Sequence, residues 1–181
     1  MQREEGLTGA PRGTAYHRVM ELLDFVGMQK YGNMQWFGGW LEEQVRHGRL
    51  EEEAAGCIRQ ADILEFLQCN SGKRMQEAAR KQKLYREQPF VLGVDAKELY
   101  PEEEDGELIL IQGIIDAYFE EPDGLVVLDY KTDKVNNGKE LAEKYQEQLR
   151  YYAKALEQIS GKKVKEKIIY SFTLKKEIYI E

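Results

Sequence analysis

The chain has 181 residues, of which 42% are hydrophobic and 33% are charged, and its formal net charge is −7. This length allows one domain with a buried core, and the balance is typical of soluble globular proteins. The apolar runs are far shorter than the ~20 residues of a membrane-spanning helix, so we expect no membrane contact. The first five residues lack the apolar region of a signal peptide. We therefore expect a cytoplasmic protein in which Cys57 and Cys69 are free thiols.

Apolar spacing predicts helices in the first half of the sequence. One helix is expected over residues 13–27, a short helix or pair of turns over 36–45, and another helix over 50–67. Asn-Ser-Gly at 70–72 should end the last of these. The following segment, 73–86, carries six basic residues against one glutamate. Each of these side chains alone is typical of a solvated helix face, but together they are the best candidate for a phosphate-facing stripe.

The second half of the sequence changes to the spacing of β-strands, and one long helix interrupts it. Glu-Pro-Asp-Gly at 121–124 predicts a turn, so the strands on either side of it should form a hairpin. We expect residues 1–84 to form a helical region and 85–181 an α/β core, together making one domain. The expected strands are 85–94, 107–119, 125–131, 164–174 and 177–180, and the expected helix is 139–159.

The hairpin carries the residues with the clearest chemical potential. Side chains alternate along a strand, so Asp129 and Lys131 share one face at the end of an apolar strand. Asp116 lies in an equally apolar stretch of the partner strand, and pairing back from the turn brings it close to Asp129. An Asp–Lys ion pair that caps a strand would account for Asp129 and Lys131 alone. Two carboxylates and an amine also suit a hard divalent cation that acts on a phosphodiester.

These residues form a recognisable signature. Gly-Ile-Ile-Asp at 113–116, followed by Asp-Tyr-Lys-Thr at 129–132, resembles the core of the PD-(D/E)xK nuclease superfamily, and in particular its RecB branch. Three more segments resemble motifs of that branch in the same order: Gly-Thr-Ala-Tyr-His at 13–17, Arg-Glu-Gln-Pro-Phe at 86–90, and Tyr-Gln-Glu-Gln-Leu-Arg-Tyr-Tyr at 145–152. The five matches run from residue 13 to residue 152. Together they are a far more specific signal than any one alone.

The resemblance implies a restriction-endonuclease-like α/β core, in which a central mixed sheet is flanked by helices and an N-terminal helical cap. It also implies that Mg²⁺, or Mn²⁺ in its place, is bound by four residues: His17, Asp116, Asp129 and the carbonyl of Tyr130. Lys131 would assist the attacking water. Alone, His17 would be typical of a structural histidine.

The resemblance assigns supporting roles to further residues. Gln148 would lie near the active centre and orient the DNA strand with Tyr145 and Tyr152, since all three share one helix face. Glu87 is a candidate for the metal or its surroundings, although it could be a surface residue of an edge strand. Thr132 would fix the end of the catalytic strand. The two tyrosines could instead be core aromatics.

Differences from the motifs of the RecB branch indicate which of its members this chain resembles. Some relatives, including the AddB-like ones, hold an iron–sulfur cluster on four cysteines, but this chain has no cysteine after Cys69 and cannot build that cluster. The resemblance is therefore to the AddA-like helicase–nuclease proteins of bacteria. No phosphate-binding loop of a helicase is present. We expect an excised nuclease domain or a free-standing relative, whose partners would be DNA, a helicase domain and an AddB-like subunit.

Three other functions remain compatible with the sequence. A free-standing phage-type exonuclease or restriction-like endonuclease would use the same centre on duplex DNA. An inactive DNA-binding scaffold is possible, but the intact Asp116, Asp129 and Lys131 argue against it. A metabolic α/β enzyme is the weakest alternative, because the sequence has no dinucleotide fingerprint or nucleophile elbow. The net negative charge favours single-stranded DNA delivered by a helicase.

Overall fold

A computed structural model describes residues 10–31, 33–99 and 107–181. Residues 1–5, from which the absence of a signal peptide was predicted, lie outside these ranges. Within the described ranges, no helix combines the length and the apolar character that a bilayer crossing requires. The helices are α1 (Ala10–Leu22), α2 (Phe25–Tyr31), α3 (Met34–Arg46), α4 (Glu52–Gly56), α5 (Gln60–Gln68), α6 (Asn70–Arg80), α7 (Ala96–Leu99) and α8 (Gly138–Ser160). The strands are β1 (Leu84–Asp95), β2 (Leu108–Glu121), β3 (Gly124–Lys131), β4 (Val164–Ser171) and β5 (Lys176–Ile180).

The five strands form one mixed sheet in sequence order, from β1 at one edge to β5 at the other. Strand β3 pairs with β4 in parallel through the α8 crossover, and the other pairs are antiparallel. Glu121 pairs with Gly124, so the predicted turn and hairpin are confirmed. The α/β fold with a central mixed sheet is therefore also confirmed.

The two faces of the sheet are covered by different helices. Helices α1 to α6 cover one face, where the largest core cluster includes the strand residues Val126, Leu128, Tyr130, Ile168 and Tyr170. Helix α8 covers the opposite face, where Leu125 and Val127 pack against Tyr152 and Leu156. The predicted alternation of side chains along β3 is thus confirmed. The N-terminal helices share their core with the sheet, while a boundary at residues 84 and 85 stays a prediction.

Two of the predicted helices are divided in the structure. The helix expected over 13–27 stops at Leu22. Asp24 caps the N-terminus of α2 by accepting hydrogen bonds from the N–H groups of Val26 and Gly27. The helix expected over 50–67 is also wrong as one element. Its break lies before Gln60, where the N–H of Arg59 donates to the Tyr16 hydroxyl at 3.3 Å.

The two other predictions for this region need smaller corrections. Helix α3 has 13 residues, longer than the short helix expected there, and Asn33 caps it by accepting from the N–H of Trp36. The Asn-Ser-Gly break lies one residue earlier, since Asn70 already begins α6. Gly72 is required there because a Cβ atom would lie 2.1 Å from the carbonyl oxygen of Phe66.

The predicted basic stripe is largely engaged in internal contacts. Arg74 pairs with Glu121 and Glu166 at 2.8 Å each. Arg86 donates to backbone carbonyls of α1 and the residue after it, and its guanidinium lies over the ring of Phe25. Arg80, Lys81 and Lys83 also have glutamate partners. Arg74, Lys83 and Arg86 are thus committed to contacts with other elements and do not form a phosphate-facing stripe. Arg80 and Lys81 pair with Glu77 of the same helix and stay exposed, so for them the stripe stays a prediction.

Candidate metal centre where two strands separate

Strand β2 leaves β3 at Asp116 while it continues to pair with β1. The β2–β3 ladder ends at Ala117 and Leu128, and β2 residues nearer the N-terminus pair with β1 alone. The carboxylate of Asp116 replaces the next backbone hydrogen bond of the ladder, because its Oδ2 accepts a hydrogen bond from the backbone N–H of Tyr130 at 2.8 Å. Asp116 is only 7% exposed. This carboxylate therefore occupies the cleft between the separating strands.

Glu87 on β1 lies opposite Asp116, and both strands change face at this point. Ile115 packs under α8 whereas Ala117 packs under the N-terminal helices, although a regular strand would direct both to one face. Glu87 has a φ of 49°, in the left-handed region that is costly for a residue with a side chain. Strain of this kind concentrates at functional sites. With this backbone conformation, the Glu87 carboxylate lies close to that of Asp116.

His17 completes a cluster with these two carboxylates. One ligand atom each from His17, Glu87 and Asp116 lie within 4.8 Å of one another. Nδ1 of His17 is 3.2 Å from Oδ1 of Asp116, and Nε2 is 2.9 Å from the carbonyl oxygen of Tyr130. Helix α1 therefore places the imidazole across the gap between β2 and β3.

Charge is concentrated in this cluster, and the pKa values respond to it. Burial lowers the pKa of His17, but Asp116, the charge of Asp129 and the Tyr130 carbonyl together outweigh burial, and the net shift is upward. Burial raises the pKa of Glu87, and the charge of Asp116 raises it further. Negative charge therefore exceeds positive charge at this point.

Asp129 lies beside the cluster on β3 and is 1% exposed. Burial raises its pKa, and the charge of Asp116 adds to the increase, while Lys131 opposes it. Nζ of Lys131 is 2.7 Å from Oδ2 of Asp129. The direction of approach is not that of a hydrogen bond, so this buried oxygen has no hydrogen-bond partner among the described residues. The ion pair that the sequence allowed is therefore present, and the Lys131 ammonium is the ionic partner of this oxygen.

A chain of contacts joins Lys131 to helix α8. Its Nζ donates to Oε1 of Gln148 at 3.2 Å, and Nε2 of Gln148 donates to the Tyr152 hydroxyl at 2.6 Å. The ammonium also lies 4.1 Å from the centre of the Tyr145 ring, a favourable cation–π distance. The Tyr145 hydroxyl donates to Asp133 at 2.8 Å. The ammonium is thus held on several sides.

Thr132 lies between the end of β3 and helix α1. Its carbonyl accepts hydrogen bonds from Arg12 at 3.4 Å and from the Thr173 hydroxyl at 3.0 Å. A Cβ atom on Gly13 would be 3.2 Å from the Thr132 hydroxyl oxygen, so a glycine permits this close approach of α1. Thr132 therefore links the strand end to the helix that carries His17.

The donor set fits a hard divalent cation. It offers carboxylate oxygens, one backbone carbonyl and one imidazole, as Mg²⁺ and Mn²⁺ sites do. Two buried carboxylates, Asp116 and Asp129, with Glu87 beside Asp116, are costly without a cation. The residues present thus suit a metal ion in chemistry and in charge.

Comparison with known proteins agrees with this geometry. The family description of the PD-(D/E)XK nuclease superfamily matches residues 2–179. The chain belongs to the PD-(D/E)XK nuclease superfamily. Among curated relatives, the chain is 42% identical over 95% of its length to the AddA subunit of the ATP-dependent helicase/nuclease of Acetivibrio thermocellus. It is 38% identical over its whole length to the AddA protein of Lachnoclostridium phytofermentans, and 41% identical over 95% to the one from Thermoanaerobacter sp.. It spans 16%, 13% and 14% of the Lachnoclostridium, Acetivibrio and Thermoanaerobacter proteins.

The five sequence segments singled out above contain most residues of the centre. The ten residues selected from the sequence lie at or next to the separating strands: His17, Glu87, Asp116, Asp129, Tyr130, Lys131, Thr132, Tyr145, Gln148 and Tyr152. Asp133 was not selected, although it follows Asp-Tyr-Lys-Thr directly and holds Tyr145. Its position next to the motif was the only available signal.

Proposed function

We propose that this domain is a metal-dependent deoxyribonuclease that hydrolyses phosphodiester bonds, with Mg²⁺ as the metal and Mn²⁺ able to replace it. The observation that carries the proposal is the gathering of His17, Glu87, Asp116 and Asp129 in the cleft beside Lys131. A structural ion pair would need one carboxylate for the lysine. A bound cation would balance the negative charge of the additional carboxylates, Asp116 and Glu87.

We assign the metal to His17, Asp116, Asp129 and the Tyr130 carbonyl, and we add Glu87 to this set. Bound there, a divalent cation polarises a phosphodiester and acidifies a water molecule. The protein keeps the donors in place through backbone contacts, above all the bond from the Tyr130 N–H to Asp116. A site built on strands and a helix is more rigid than one built on loops.

Lys131 is proposed to orient the attacking water and to offset the negative charge that develops on the phosphate. Its side chain is 12% exposed and its ammonium is restrained by Gln148 and the Tyr145 ring, so little reorganisation is needed during the reaction. Gln148 would also contact the DNA strand together with Tyr145 and Tyr152. Thr132 would keep the end of β3 fixed.

The proposed substrate is single-stranded DNA delivered by a helicase during recombinational repair of double-strand breaks, and an exonuclease mode is favoured over an endonuclease mode. The relatives are named as proteins that combine helicase and nuclease, and this chain corresponds to a small part of them. We propose a helicase domain in the same polypeptide and an AddB-like subunit that binds it. The same proposal includes a cytoplasmic location in a bacterium.

End-labelled single-stranded and duplex DNA tests the assignment. Cutting should require Mg²⁺ or Mn²⁺, stop with EDTA, and be lost in Asp129→Asn, while the exposed turn variant Asp123→Asn cuts normally. Duplex cutting in preference to single strands would favour the free-standing nuclease. Metal binding without cutting of either substrate would favour the scaffold. Cutting in EDTA, or full activity in Asp129→Asn, would contradict the proposed centre.

A further inference from the structure

A cavity of about 340 Å³ lies next to the proposed catalytic lysine. Its lining includes Phe90, Ile111 and Gly113 from the β1–β2 pair, and Gln148, Tyr151 and Tyr152 from α8. The volume is at the lower end of pockets that bind small molecules, which span ~300–1,000 Å³. It therefore suits one ring system.

The aromatic residues give this cavity its character. Phe90 and Tyr152 are buried and meet edge to face, with ring centroids 5.5 Å apart. Tyr151 is half-buried beside them. A Cβ atom on Gly113 would lie 3.0 Å from the Phe90 ring, so this glycine lets the ring lie against the strand. The arrangement is an apolar, aromatic-lined recess between α8 and the β1–β2 pair.

Gln148 joins the cavity to the reaction centre. It lines the cavity, and its two amide atoms connect the Lys131 ammonium to the Tyr152 hydroxyl. A ligand that extends from the lysine into the cavity must combine an anionic group with a flat apolar group. A nucleotide unit has both, because its phosphate would face Lys131 and its base would face the aromatic rings.

We propose that this cavity is a stacking subsite for one nucleobase of the strand being cut, next to the scissile phosphate. The inference rests on the nuclease function proposed above and makes its substrate class more specific. A base must leave its partner to enter a recess of this size, so the subsite selects unpaired DNA. Stacking is tolerant of base identity, and the subsite therefore gives strand-state selectivity with little sequence preference.

Tyr151 offers the test, since it lines the cavity but lies outside the contact chain of Lys131. The substrates are end-labelled single-stranded thymidine oligomers in which one abasic site is moved along the chain. In the unaltered protein, one register of the abasic site should slow cutting roughly 5- to 150-fold, the range for loss of one stacked base. Tyr151→Ala should cut the intact oligomer more slowly by a similar factor and should lose the abasic effect in that register. Tyr151→Trp should retain it.

Tyr179→Ala is the matched control, because Tyr179 is a 52% exposed tyrosine on β5, the strand at the opposite edge of the sheet. It should leave the abasic effect unchanged. Binding of the same oligomers, measured by anisotropy with Ca²⁺ in place of Mg²⁺, provides a second readout that does not need cutting.

The two readouts separate the subsite from the nuclease function. An abasic effect that depends on Tyr151 in binding, without metal-dependent cutting, would support the subsite and overturn the nuclease. Metal-dependent cutting with equal abasic effects in the unaltered protein and Tyr151→Ala would overturn the subsite and leave the nuclease. Absence of both would overturn both.

Discussion

Replacing Glu87 should make the metal-free domain more stable and its metal binding weaker. The left-handed φ of 49° costs a residue with a side chain ~1–2 kcal/mol, and glycine avoids this cost. The larger conformational entropy of glycine in the unfolded chain offsets ~0.5–1 kcal/mol of this gain in stability. We therefore expect Glu87→Gly to raise the free energy of unfolding by ~0.5–1 kcal/mol in EDTA.

Charge acts in the same direction as backbone strain at Glu87. Burial and the charge of Asp116 raise its pKa, so the folded chain holds this proton more tightly than the unfolded chain does. Below the unfolded-state pKa, Glu87 is protonated in both states and costs the fold nothing. As the pH rises through the folded-state pKa, its ionisation lowers the free energy of unfolding. Glu87→Gln removes the charge but keeps the strain. It should be at least as stable as the unaltered protein in EDTA at neutral pH.

Urea unfolding with EDTA and with Mn²⁺ measures both effects. A metal at 100 times its Kd stabilises the folded chain by ~2.7 kcal/mol, and a tenfold weaker site reduces this to ~1.4 kcal/mol. Both variants should show the smaller increment. If either variant is destabilised by more than ~1 kcal/mol in EDTA, Glu87 has a structural role instead. Equal stabilisation by Mn²⁺ in the unaltered protein, Glu87→Gly and Glu87→Gln would show that Glu87 is not a metal ligand.

Two further substitutions test the catalytic and structural roles of basic residues. Lys131→Met should reduce cutting at least ~100-fold while Mn²⁺ still stabilises the protein, and loss of that stabilisation would indicate that Lys131 mainly supports Asp129. Arg74→Met should cost ~1–3 kcal/mol at pH 7 in urea unfolding. The hydrogen bonds of Arg74, together with those of Lys165, lower the pKa of Glu121 to about 2. The ion-pair contribution is therefore complete above the unfolded-state pKa and fades as the pH falls towards 2. An equal cost at pH 7 and pH 3 would refute the ion-pair explanation.

The sequence predicted the parts of the fold that local patterns determine. The turn at 121–124 and the alternation along β3 follow from residue type and a period of two, and both place Asp129 and Lys131 on the α8 face. The side-chain spacing on α8 likewise places Gln148 and Tyr152 together, and the structure has them in hydrogen-bond contact.

The face change at Asp116 and Glu87 could not be predicted in this way. A glutamate has no local preference for a left-handed φ, and tertiary contacts must impose it. The breaks before Phe25 and Gln60 were missed for a related reason. The second of them depends on a hydrogen bond from Arg59 to Tyr16, 43 residues away, which no local pattern contains.

The core shared by the N-terminal helices and the sheet has a consequence for synthesis on the ribosome. Tyr16 packs against Phe172, with ring centroids 4.7 Å apart, so two residues separated by 156 positions (172 − 16) must meet. At ~5–20 residues per second, roughly 8–30 s pass between their synthesis. During that interval only β1 to β3 can cover the apolar faces of the first helices, and the part of the core that Ile168, Tyr170 and Phe172 provide is missing. The domain therefore completes its core only after translation of β4, and the nascent chain is most exposed to aggregation and to chaperones before then.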